Sequence, residues 1–148
     1  MNRKTFIKNC GTACLGLSSI SFLLQSCSGG KIISAKILDN NLVIDLHEFE
    51  IKKKDNIFYR KYIIVQNEKL RFPICIYRFS ENDFSALYMQ CTHQGNELNA
   101  YGERLVCSAH GSEFDKRGIV TRGPSEKSLK TFPVQIHNSS LLIPLKAA

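Results

Sequence analysis

Two short stretches constrain this chain more than any other feature: "CTHQG" at residues 91–95 and "CSAHG" at 107–111, with thirteen residues between His93 and Cys107. Cys91, His93, Cys107 and His110 together supply two thiolates and two imidazoles, a set that few structures need unless they hold metal. Zinc accepts it in tetrahedral geometry. So does a [2Fe-2S] cluster whose two irons are treated differently, cysteines on one and histidines on the other. The donor atoms leave both open, but their arrangement is informative. Each stretch contributes one donor of each kind, and each histidine is followed by glycine directly or one residue later. Glycine lets the backbone wrap closely around a bulky inorganic core and aim N–H groups at sulfide. Ser112 adds a hydroxyl beside the second stretch.

With the downstream "GPSEKSLKTFPV" at 123–134, these stretches resemble the Rieske iron-sulfur family over roughly residues 85–136. The resemblance implies one [2Fe-2S] cluster per chain. Cys91 and Cys107 bind its inner iron and His93 and His110 its outer iron. Gly123 and Pro124 match the proline loop that covers the cluster from a third side, and Leu129, Phe132 and Val134 match the apolar strand after it. Two departures stand out. Cytochrome bc-type relatives carry an extra cysteine in each loop, paired as a disulfide; here those places are Asn96 and Ala109. They also carry a tyrosine where this chain has Phe114. Hydrogen bonds to sulfur favour the reduced cluster. Keeping Ser112 but lacking the tyrosine hydroxyl sets the expected potential in the lower to middle part of the Rieske span of about −150 to +300 mV.

Residues 1–26 read as an export signal of lipoprotein type, with a basic start and a stretch too short and too rich in Ser and Gly for a permanent membrane span. "LQSC" at 24–27 resembles a lipobox, which implies acylation of Cys27, and "NRKTFIK" at 2–8 resembles a twin-arginine motif except that Lys4 replaces the second arginine. Residues 27–34 then form a lipidated tether, and 35–148 the folded domain. The total charge of +7 is concentrated by Arg3, Lys4 and Lys8 at the N-terminus; from Cys27 onward the net is +4, which gives no argument for nucleic acid. Among the six cysteines, Cys75 sits within the apolar "FPICIYRF" and reads as a buried free thiol.

The remaining sequence consists of short runs rich in Ile, Val, Tyr and Phe, among them "KIISAKIL" at 31–38, "LVIDLHEF" at 42–49 and "IFYRKYIIVQ" at 57–66, each read as strand and bounded by Asn, Asp and Lys, with no sustained helical stripe. The expected fold is all-β: antiparallel, of stacked small sheets, with a cluster-binding part carrying loops at 91–98, 107–115 and 122–126. "KKKD" at 52–55 reads as a solvated turn between strands. The expected function is single-electron transfer by a lipid-anchored protein of a bacterial envelope, facing the periplasm or exterior. Its partner is a cytochrome, a quinol-linked complex or an oxidoreductase subunit, and it has no catalytic activity of its own. Two other readings are a Rieske subunit of an exported multi-subunit oxidoreductase and a zinc-stabilised binding lipoprotein.

Overall fold

The computed structural model describes residues 30–146. The expected export signal and Cys27 lie outside the described residues. Fifteen strands and one short 3₁₀ turn make up the described chain, an all-β architecture. A five-stranded sheet lies at its centre in the order β1 (Lys31–Ser34), β6 (Tyr62–Gln66), β7 (Ile74–Arg78), β8 (Phe84–Tyr88), β13 (Thr131–Phe132). One four-stranded sheet contains β14 (Gln135–His137), β15 (Ser140–Pro144), β3 (Asn41–Asp45) and β2 (Lys36–Leu38). The other contains β12 (Val120–Arg122), β11 (Glu113–Asp115), β10 (Arg104–Val106) and β9 (Asn99–Tyr101). A hairpin of β4 (Glu50–Lys53) and β5 (Asn56–Tyr59) stands apart as its own two-stranded sheet.

The central sheet is covered on both faces, which is why β7 is apolar at nearly every position rather than alternating. Ile74 and Ile76 point into one core with Leu42, Ile44, Leu141 and Ile143, while Cys75 and Tyr77 point into a second with Leu105, Phe114 and Leu129. Cys75 is a fully buried free thiol, and burial pushes its pKa up. Arg117 links the central and cluster-side sheets: it donates to both carboxylate oxygens of Asp83 (3.0 and 2.6 Å) and lies 3.7 Å over the Phe79 ring.

Three expectations change. Residues 31–34 are not tether but strand β1, and it pairs parallel with β6, so the central sheet is mixed. Ile33 packs against the first core, which draws this segment in. "KIISAKIL" divides at Ala35 into strands of two different sheets, and "IFYRKYIIVQ" divides at Arg60–Lys61. Asp45, read as mid-strand, instead starts the 3₁₀ turn Leu46–Phe49 by accepting from the His47 N–H at 2.9 Å.

The register gives the domain two poles. β8 leads directly into the first Cys/His loop, and the pairings Ile74↔Tyr88 and Val65↔Ile74 mark that end of the sheet. Lys31↔Ile63 and Tyr62↔Tyr77 mark the opposite end, where the chain enters. There the Gly30 N–H donates to Tyr62 Oη at 3.1 Å, and a Cβ on Gly30 would overlap the Tyr62 ring. The β9–β10 turn is also far from the cluster loops, and its Glu103 pairs with Lys61 at 3.3 Å. Five strand residues at about 3.3 Å each put the poles at least ~15 Å apart.

Candidate metal centre

The two Cys/His loops are built alike. In the first, the Cys91 N–H donates to Asn96 O and the Gly95 N–H to Cys91 O, both at 2.8 Å. In the second, the Cys107 N–H donates to Ser112 O and the Gly111 N–H to Cys107 O, again both at 2.8 Å. The turn is closed by the glycine four residues after each cysteine, whichever position the histidine takes. Gly95 and Gly111 have φ of +74° and +76°, a backbone region that side chains rarely adopt. Nothing lies within 4 Å of a Cβ at Gly111, so the requirement there is the dihedral alone.

This turn sends its cysteine and histidine in opposite directions. Cys91 and Cys107 are 2% and 0% exposed and belong to the second core. His93 and His110 are exposed, with ring centroids 4.9 Å apart and edge to face. The thiols are thus inside and adjacent, and the imidazoles outside and adjacent.

A third loop closes the site. Gly123–Pro124 is a cis peptide at an exposed bend. Beyond it, the Ser125 N–H donates to Ser112 Oγ at 3.0 Å and Ser125 Oγ lies 3.4 Å from Cys91 Sγ. Both serines are buried. Thr92 Oγ1 donates to Lys127 O at 2.6 Å, which ties the first loop to the third. Asn99 Nδ2 donates to Ser108 Oγ at 2.9 Å and ties the first to the second. These bonds hold the loops together in the absence of a cross-loop disulfide, since Cys91 and Cys107 are free thiols.

Every expected site residue from Cys91 to Pro124 is therefore gathered at one pole. Sequence reasoning missed Ser125 and Thr92: a serine after Gly-Pro and a threonine after cysteine are common loop residues, and only the folded loops bring them to the thiol.

The donor set fits a binuclear cluster. Burial opposes ionisation of Cys91, but hydrogen bonds from the Ser125 hydroxyl, the His93 and Gln94 N–H groups and Cys107 outweigh it and lower the thiol pKa. A thiol eased toward thiolate and ringed by N–H and O–H donors suits an anionic iron-sulfide core. The separation of buried sulfur from exposed nitrogen matches two irons with different ligands. Among the described residues, no three His, Cys, Asp or Glu side chains meet around a single ion.

The sequence profile of the Rieske [2Fe-2S] domain matches residues 41–133. The cytochrome b6-f complex iron-sulfur subunit of Synechococcus sp. (strain RCC307) is 36% identical over 55 residues, covering 36% of this chain and 31% of that protein. Iron-sulfur subunit 2 of the same complex in Nostoc sp. (strain PCC 7120) shows the same identity and coverage. The chain thus matches under a third of the length of these curated relatives. Among solved structures, the plasma membrane Rieske protein PetC3 of Synechocystis PCC 6803 is 27% identical with a TM-score of 0.49, covering 56% of this chain and 85% of that one.

Proposed function

The chain belongs to the Rieske [2Fe-2S] family, and from that premise we propose that it is a membrane-anchored carrier of single electrons, not an enzyme with a substrate site of its own. The observation that carries this reading is the pair of exposed imidazoles, His93 and His110, packed edge to face at one pole over two buried thiols. Cys91 and Cys107 would hold the inner iron, and His93 and His110 the outer one. The cluster supplies a one-electron couple between two stable charge states. The protein's residues decide the rest. The buried sulfur side excludes water, the histidine side gives a partner protein its shortest approach, and Gly123–Pro124 shields the flank. Partners are redox proteins such as a cytochrome or a subunit of a quinol-linked complex, in keeping with the b6-f subunits among the relatives. Cys27 carries the lipid, and the histidine pole, opposite the point where the chain enters, faces away from the membrane toward those partners.

Mixing the dithionite-reduced full chain with an excess of oxidised c-type cytochrome tests this directly: one haem is reduced per chain in a single fast phase. Absence of any transfer on the timescale of seconds would exclude the carrier role.

Ser125 gives a finer prediction. Its hydroxyl beside Cys91 Sγ supplies a hydrogen bond that favours the more negative, reduced state. Ser125→Ala should lower the potential by on the order of 50 mV, the one-electron equivalent of about 1 kcal/mol. A redox titration followed by visible absorbance reads the shift. An unchanged potential would assign this hydroxyl to packing.

A further inference from the structure

The β4–β5 hairpin has no role in the site at the opposite pole, and its surface is unusual. Residues Asn56–Tyr59 of β5 are all exposed, and Ile57 and Phe58 keep 53% and 52% of their surface in contact with solvent. Because strand neighbours point to opposite faces, both faces of the hairpin carry an apolar side chain near its tip. A lone two-stranded hairpin showing so much apolar surface lacks a partner. Beside these side chains stand Lys52, Lys53 and Lys54, none of which is ion-paired among the described residues. Between residues 50 and 61 there are five Lys or Arg against two acids, and one of the acids, Glu50, already engages His47 Nδ1 at 2.7 Å.

The position of the hairpin narrows the choice of partner. β5 leads through Arg60 and Lys61 straight into the end of β6 that holds Gly30, where the Gly30 N–H meets Tyr62 Oη. Arg78, at that same end of the central sheet, lies 4.0 Å over the Tyr59 ring. The hairpin therefore rises from the pole at which the chain enters. Cys27 is three residues before Gly30, and three extended residues reach only about 10 Å. A domain held by lipid at Cys27 has this pole, and no other, at the membrane surface.

We propose that the β4–β5 hairpin is an interfacial docking element for an anionic phospholipid surface. Lys52, Lys53 and Lys54 engage headgroups, and Ile57 and Phe58 rest at the acyl boundary, the combination of basic and apolar side chains that interfacial elements use. Contact at two points, lipid and hairpin, fixes the tilt of the domain and keeps the histidine pole turned outward. The direction of approach rests on the anchored reading above; the surface chemistry does not.

The test uses the full chain with its cluster loaded, reconstituted on vesicles of phosphatidylcholine with phosphatidylglycerol that include a quencher-bearing lipid. An environment-sensitive dye is attached at Asn56→Cys in one sample and at Glu68→Cys, near the other pole, in a second. The dye at 56 is expected to lose most of its emission to the lipid quencher, and the dye at 68 almost none. Combining K52E, K53E and K54E should abolish quenching at 56 while visible absorbance shows the cluster intact. Equal quenching at both positions, or quenching at 56 that survives the triple variant, overturns the proposal. So does a hairpin hidden by self-association, with no lipid quenching. Mass spectrometry of Cys27 in the same material judges the anchor separately. An unmodified cysteine with quenching at 56 sinks the anchor and sustains the hairpin, and a lipidated cysteine without quenching does the reverse.

Discussion

Replacing Cys107 with serine is expected to give a folded protein without a cluster, its iron and acid-labile sulfide falling to near zero from the two of each that the family's [2Fe-2S] cluster contains. Serine nearly matches cysteine in volume, so the second core around this position should still close. What it lacks is an accessible anion: a thiol ionises near pH 8.5 in its unperturbed state, and a serine hydroxyl stays protonated at any pH the fold survives. The site also offers no substitute. Cys107 is 0% exposed; among the described residues the one thiol outside the pair, Cys75, points into the same core from strand β7, and burial holds that thiol protonated. The far-ultraviolet spectrum should keep its β-sheet character while thermal stability falls, since the twin loops lose the ligand bonds that bind them together. A variant that retained both irons would mean that the buried thiols are core residues only.

The second large effect is expected at Phe114. Its ring is fully buried in the core that contains both cysteines, and β11 carries it between Leu105 on one side and Val120 on the other. Truncation to alanine should cost about 3–5 kcal/mol. That lowers the Tm by on the order of 10 °C or more. Phe114 is two residues from Ser112, which receives the Ser125 N–H, so the cavity lies under the second and third loops. Cluster content per folded chain should drop along with stability. Phe49→Ala provides the contrast: Phe49 is equally buried but sits in the other core. Comparable destabilisation with full iron content is expected there. If both variants lost iron equally, the two cores would not be separate supports.

The centre was the most readable part of the sequence because its chemistry is local. Cysteine, histidine and glycine within five residues specify a turn, and two copies of the turn specify a site. Cys75 was readable for a similar reason, as its apolar neighbours on β7 imply burial. The limits of the strands were less readable. Ala35 and Arg60–Lys61 carry no turn signature, and the breaks there arise because successive segments join different sheets, a fact of tertiary packing. The parallel pairing of β1 with β6 also has no local mark; it brings together residues about thirty positions apart. Ser125 escaped notice because its partner, Cys91, is 34 positions away. The hairpin was visible only as a charged turn, and its significance comes from the pole on which the fold sets it.

The central claim is that buried sulfur and exposed nitrogen divide one binuclear iron centre between them. Electron paramagnetic and double resonance on the dithionite-reduced full chain measure this most directly. The account predicts the signal of a spin-one-half [2Fe-2S] centre with couplings to two histidine nitrogens, one of which disappears in His110→Cys. A silent spectrum from anaerobically prepared protein, or an iron-sulfur signal with no nitrogen coupling, would contradict it.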